Sequence, residues 1–256
     1  MANVEWGKAS STSEEQIFLE GPRSRGFELR RALRIFSELI YGFRKLHFVG
    51  PCITVFGSAR FPESHPYYVL TRELGSRIAQ ASFTVMTGGG PGLMEAANRG
   101  AKDVHGHSVG CNITLPKEQK PNVYLDTWVE FRYFFVRKLM LAKYSYGFIA
   151  MPGGFGTLDE LLEIATLIQT GKMKNFPLVL MDIAYWSPLI RFFDDTLLKN
   201  GAIDREDVSR LLITDSPAEA VSHIQKCAID QFGLKYKLRH RPRKLFLETG
   251  SAQKGE

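Results

Sequence analysis

Short apolar runs alternate along the chain with longer stretches of helical period. Residues 52–56, 83–87, 108–113, 128–131, 146–150 and 177–181 are brief and largely apolar. Such runs read as strands buried on both faces, as in a parallel sheet. Between them, residues 66–80, 133–143, 161–168 and 187–199 read as helices. Ser216-Pro217-Ala218-Glu219 carries a capping pattern that starts a last one, and residues 211–213 form a last short strand or its remnant. The alternation predicts one α/β domain: a doubly wound, Rossmann-like parallel sheet over residues 27–232. Ahead of the first strand, Phe27, Leu29, Leu33, Phe36, Leu39, Ile40 and Phe43 recur at helical spacing, with Arg30, Arg31, Arg34 and Glu38 between them. This amphipathic helix either covers the sheet or pairs with a second subunit. Residues 1–26 are polar and broken by Gly21-Pro22, so a loose segment is expected there.

Small residues cluster where strands hand over to helices. After the strand at 146–150 comes Met151-Pro152-Gly153-Gly154-Phe155-Gly156-Thr157-Leu158-Asp159-Glu160. In a parallel sheet that junction is where ligands bind, and glycines there let backbone N–H groups approach an anion at a helix start. Thr157-x-x-Glu160 also has the spacing of a capping box, which would tie Glu160 to its own helix. A second loop, Gly88-Gly89-Gly90-Pro91-Gly92, follows the strand at 83–87. It leads into Leu93, Met94, Glu95 and Asn98, of which the last three are candidate nucleotide contacts, as are Gly89 and Gly90. Gly57-Ser58-Ala59-Arg60 is a third small-residue turn, where Ser58 and Arg60 are either phosphate or sugar contacts or parts of an ordinary turn. In the helix at 133–143, Arg137 and Lys138 are adjacent cations on an otherwise apolar element. Arg137 can face the site at the end of the next strand, or both can snorkel to the surface.

The glycines fit neither a GxGxxG fingerprint followed by an acid nor a GxxxxGK[ST] loop, which disfavours dehydrogenases and P-loop NTPases. Cys52, Cys111 and Cys227 are odd in number and far apart. This fits buried thiols in a reducing cytoplasm rather than a disulfide framework or a metal knuckle, and no metal or organic cofactor is expected. The net charge of +6 resides in Lys235, Lys237, Arg239, Arg241, Arg243 and Lys244 of the 233–256 tail; the remainder is formally neutral. Nucleic acid is therefore a disfavoured partner. No apolar run has the roughly 18 residues of a membrane span, and the polar start lacks a signal-peptide core.

Taken together, Gly88-Gly89-Gly90-Pro91-Gly92-Leu93-Met94-Glu95-Ala96-Ala97-Asn98, Tyr133-Phe134-Phe135-Val136-Arg137-Lys138 and Pro152-Gly153-Gly154-Phe155-Gly156-Thr157-Leu158-Asp159-Glu160 resemble the LOG (Lonely Guy) family over roughly residues 50–230. Those proteins are cytokinin riboside 5′-monophosphate phosphoribohydrolases, and their bacterial members are often labelled lysine decarboxylases. The resemblance implies a Rossmann-like fold and a homodimer or a multiple of dimers. It implies hydrolysis of a nucleoside 5′-monophosphate to free base and ribose 5-phosphate. It makes Arg137 and Glu160 the catalytic pair, and Gly153, Gly154, Gly156 and Thr157 the phosphate loop; Lys138 joins the nucleotide contacts. Phe135 stands where the plant-type enzymes have histidine, and the first glycine motif is one residue shorter before Gly92. The chain thus resembles a longer bacterial branch, with AMP or a range of nucleoside monophosphates as the expected substrate. A nucleotide-sensing module without turnover is the alternative.

Overall fold

A computed structural model describes residues 18–19, 21–114 and 121–234. Most of the N-terminal segment and nearly all of the basic tail lie outside the described residues. The architecture is a seven-stranded, all-parallel sheet of order β4-β3-β2-β1-β5-β6-β7. Its strands are β1 (Cys52–Phe56), β2 (Thr84–Thr87), β3 (Ser108–Ile113), β4 (Thr127–Phe131), β5 (Ser145–Ala150), β6 (Leu178–Met181) and β7 (Leu211–Thr214). The helices are α1 (Arg25–Leu46), α2 (Pro66–Gln80), α3 (Leu93–Asp103), α4 (Phe134–Lys143), α5 (Phe155–Gln169), α6 (Ile183–Phe192), α7 (Arg205–Ser209) and α8 (Pro217–Asp230). The doubly wound sheet expected from the apolar runs is present. From β1 the chain winds outward to β4, returns to place β5 on the other side of β1, and winds outward again to β7. The reversal between β1 and β5 is the topological switch point.

Strand side chains alternate between two cores. Cys52, Phe56, Val109, Phe131, Phe148 and Leu180 point to the face covered by α1, α4, α5 and α6, which contribute Leu46, Val136, Met140, Ile164 and Trp186. Ile53, Val55, Val85, Ile149 and Met181 point to the face covered by α2, α3 and α8, which contribute Leu74, Ile78, Leu93, Ala97 and Ile224. On that second face α2 and α3 pack backbone to backbone. A Cβ at Gly75 would collide with the carbonyl of Ala97, and one at Gly100 with the carbonyl of Arg72. Both glycines are therefore required by close packing, which fixes where α3 begins.

One boundary is corrected, and two features go beyond the apolar pattern. First, α1 does not simply bury its apolar stripe. Its buried positions are Arg31, Glu38, Gly42 and Leu46, while Leu29, Leu33 and Phe36 are exposed. Arg31 donates to the Tyr133 hydroxyl at 3.1 Å, and the Glu38 carboxylate accepts the Arg132 N–H at 3.2 Å. Partnered charges thus join Ile35, Leu39 and Phe43, which pack against the core, in that contact. Second, α6 starts at Ile183, not Ser187, because Asp182 caps it by accepting the Tyr185 N–H at 2.7 Å. Pro188 lies inside this helix, which continues as a π-helical turn over Phe193–Leu198. Third, the short α7 had no periodicity to reveal it. Among the described residues no helix is long and apolar enough to cross a membrane.

Candidate active site

The carboxyl ends of β1, β2, β4 and β5 bring the sequence motifs to one edge of the sheet. The turns after β1 and β5 are stitched together. Met151 N–H donates to Phe56 O at 2.8 Å and Ser58 N–H to Pro152 O at 3.1 Å. Leu93 N–H, at the start of α3, donates to Ser58 O at 2.9 Å. Ser58 is therefore the backbone joint of three loops, and its hydroxyl accepts the Arg60 N–H. Gly92 has φ +69, and a Cβ there would lie 2.6 Å from the Ser58 carbonyl oxygen, so this joint admits only glycine.

Helix α5 begins earlier than a Thr157 cap requires. Gly154 is its N-cap, without a side-chain capping bond, and Thr157 lies in the first turn. The capping-box reading of Thr157 and Glu160 fails for that reason, and Glu160 faces a different partner. Arg137 Nη1 donates to Glu160 Oε1 at 2.7 Å, and Arg137 Nε donates to the Cys111 carbonyl at 2.8 Å. Both side chains are nearly inaccessible, at 11% and 12% exposure. The arginine reaches this place because it sits one turn ahead of the buried Met140 and Leu141, on the inner side of α4. Burial pushes the Glu160 carboxyl above its ordinary range, an effect the Arg137 charge and hydrogen bond oppose but do not cancel. An ion pair this deep carries a desolvation cost and is weak evidence for a purely stabilising role.

Lys138 does not snorkel to the surface either. Its ammonium lies 2.9 Å from both Asp159 and Glu163. Burial opposes its charge, but the bonds to Glu163 and Asp159 outweigh that and raise its pKa. Asp159 is 57% exposed and paired with Lys138.

The two glycine loops differ in what surrounds them. Gly88, Gly89 and Gly90 are buried. A Cβ on Gly88 would meet Arg137 Nη2 at 2.6 Å and Met94 Sδ at 2.7 Å, and one on Gly89 the Trp128 ring at 2.5 Å. Asn98 is fully buried: its Oδ1 accepts from Thr87 Oγ1 and Asn122 Nδ2, and its Nδ2 donates to Ser108 Oγ. Asn122 in turn donates to Gly90 O through Nδ2 and to Gly89 O through its N–H. This moves Asn98 from ligand contact to support beneath the loop, and the same bonds occupy the Gly89 and Gly90 carbonyls. Glu95 is half-buried and accepts the Tyr68 hydroxyl at 2.9 Å; burial is the main reason the Tyr68 pKa is pushed up to about 12.

In the second loop, Gly153 is buried, its Cα covered by the Thr157 side chain, whereas Gly154 and Gly156 are exposed with nothing near the place of a Cβ. The first N–H groups of α5 have no intrahelical acceptor by construction, so this open side is suited to an anion.

A family profile described as "Possible lysine decarboxylase" matches residues 94–224. The cytokinin riboside 5′-monophosphate phosphoribohydrolase LOG of Oryza sativa subsp. japonica is 32% identical, over 68% of this chain and 71% of its own. LOG3 of Arabidopsis thaliana, a protein of the same description, is 30% identical, over 69% of this chain and 82% of its own. The chain belongs to the LOG family.

At the level of fold, the Moco carrier protein from Chlamydomonas reinhardtii is also similar, with a TM-score of 0.51 and 24% identity over 69% of this chain and 96% of that one. Within the LOG motif, Phe135 is 46% exposed, beside Phe134 and Leu139 on the outer side of α4. Sequence reasoning missed Gly88, Asn122 and Tyr185. The Tyr185 hydroxyl donates to Gly153 O at 2.8 Å. Gly88 sat in the quoted motif, but nothing linear relates Asn122 or Tyr185 to the loops they bond. A separate cavity of about 310 Å³ lies on another face of α5, among Leu162, Ala165, Gln169, Phe193 and Arg210, and includes none of the candidate site residues.

Proposed function

We propose that the protein hydrolyses the N-glycosidic bond of a nucleoside 5′-monophosphate, AMP or a cytokinin riboside monophosphate, to free base and ribose 5-phosphate. The observation that carries this reading is the buried Arg137–Glu160 pair at the switch point of a LOG-family chain, beside a glycine loop open toward solvent. Breaking the bond builds positive charge on the ribose as the base departs. Glu160 supplies the opposing carboxylate, holds sugar hydroxyls and positions the attacking water. Arg137 fixes that carboxylate and lends a permanent charge to the phosphate or to the departing base. Gly154, Gly156 and the first turn of α5, with Thr157 packed on Gly153, anchor the 5′-phosphate, and that remote binding aligns the reacting bond. Lys138 neutralises Asp159 and Glu163 on the same helix as Glu160. Ser58, Met94 and Glu95 line the approach to the nucleotide, and Gly89 and Gly90 shape its floor.

The test is release of adenine and ribose 5-phosphate from AMP by the purified protein, followed by chromatography, with Glu160→Gln alongside. Wild-type release that falls about 10²–10⁴-fold in the variant supports the reading. Binding of AMP and of other common monophosphates without release of base replaces it with a nucleotide-sensing module.

The same reading includes a homodimer. Leu29, Leu33 and Phe36 on α1 and Phe134, Phe135 and Leu139 on α4 are exposed apolar groups on helices that share one side of the sheet, as a subunit contact requires. Light scattering on the purified chain should give at least twice its 28.9 kDa; a monomer at micromolar concentration contradicts the dimer.

A further inference from the structure

The hydrogen bond from Tyr185 to the second glycine loop has a consequence for how that loop presents itself. Tyr185 stands in the first turn of α6, far along the chain from Gly153. Its position is held from several sides. Asp182, at φ +83, accepts its N–H at 2.7 Å. Asp215, beyond β7, accepts the neighbouring Ile183 N–H at 2.7 Å. Tyr67 and Trp186 pack edge-on against its ring, at 6.1 and 5.0 Å between centroids. The hydroxyl then donates to Gly153 O at 2.8 Å.

A trans peptide is planar, so its C=O and N–H point in opposite directions. No peptide bond among the described residues is cis. Anchoring the Gly153 carbonyl on Tyr185 therefore aims the Gly154 N–H the other way. Gly154 is the N-cap of α5, exposed, with open space where a Cβ would be. Glycine on both sides of this peptide leaves its orientation undetermined by the chain itself. Something outside the loop must select which end faces the ligand.

We infer that Tyr185 is a positioning residue: its hydroxyl holds the Gly153–Gly154 peptide with the N–H turned toward the 5′-phosphate of the nucleotide. The inference rests on the phosphate-loop reading above and adds the group that sets the loop for its anion. Tyr185 acts through the peptide and does not itself touch substrate.

The experiment compares the full-length wild type with Tyr185→Phe, which keeps the ring and its packing and removes the anchor. Inorganic phosphate, AMP and adenosine are titrated calorimetrically into each protein, and KM and kcat for AMP are measured separately. The expected result is a loss of phosphate and AMP affinity of about five- to tenfold, the effect of one hydrogen bond. Adenosine affinity and kcat should change less than twofold. Equal phosphate affinity in the two proteins overturns the inference, as does an equal loss for adenosine, which marks general damage to the pocket. Thermal melts check folding; if Tyr185→Phe is unstable, Gly154→Pro, which keeps Tyr185 and removes the N–H it is inferred to aim, must lose phosphate affinity for the inference to stand. Phosphate binding that depends on Tyr185 in a protein releasing no base sinks the hydrolase reading but not this one. A wild type that binds neither phosphate nor AMP sinks both.

Discussion

The two glycine loops at the sheet edge look alike on paper and do opposite things. In Gly88-Gly89-Gly90 the missing side chains are replaced by Arg137, Met94 and Trp128, and the carbonyls of Gly89 and Gly90 are bonded to Asn122. In Gly153-Gly154-Phe155-Gly156 only the first glycine is covered; Gly154 and Gly156 border open space. Glycine in the first loop lets protein approach the backbone, whereas in the second it leaves the backbone open, which is why the proposed phosphate loop is the second one. Arg137 joins the two halves, packed on Gly88 and paired with Glu160.

Breaking that joint should have the largest effect on stability. Arg137→Ala leaves the Glu160 carboxylate buried and unpaired, at a cost of about 3–5 kcal/mol near neutral pH. The sign follows from linkage. Glu160 already titrates above its ordinary range, and loss of Arg137 raises it further. The folded variant then binds a proton that the unfolded chain, with a carboxyl near pKa 4.3, has released. Stability is therefore lost as pH rises through that window and recovered below it. Urea melts at about pH 7 and about pH 5 should show the gap to wild type narrowing on the acid side; a gap independent of pH contradicts the pairing.

Alanine substitutions compare the loops directly. Gly89→Ala meets Trp128 at φ +72 and should cost about 2–4 kcal/mol in a urea melt. Gly154→Ala and Gly156→Ala should shift stability by no more than about 1 kcal/mol, while weakening phosphate binding severalfold. Destabilisation at Gly154 equal to that at Gly89 would erase the distinction between the loops. Narrowest in scope is Tyr185→Phe, whose effect should be confined to phosphate-bearing ligands.

What could be read in advance follows the same division. The sheet was legible because strands buried on both faces leave continuous apolar runs, and β1, at residues 52–56, was placed to the residue. The motifs that gather Arg137 and Glu160 were legible as well, since each sits at a strand end and parallel topology sends those ends to one edge. What escaped were decisions made by tertiary partners. The first turn of α5 starts at the glycines and not at Thr157. Asn98 is spent on Thr87, Ser108 and Asn122, and Tyr185 reaches Gly153 from across the sheet. On α1 the period left two uses open, and the buried face carries Arg31 and Glu38, partnered by Tyr133 and Arg132, while Leu29, Leu33 and Phe36 stay exposed. Periodicity reports which residues share a side, not which side is covered.

The central claim is that the pair of Arg137 and Glu160, beside a loop open to phosphate, cleaves a nucleoside monophosphate. The direct measurement is product analysis after incubation with AMP, wild type beside Glu160→Gln. Equimolar adenine and ribose 5-phosphate from the wild type, lost by about 10²–10⁴-fold in the variant, is the predicted result. Intact AMP in both tubes, with AMP bound, would contradict it.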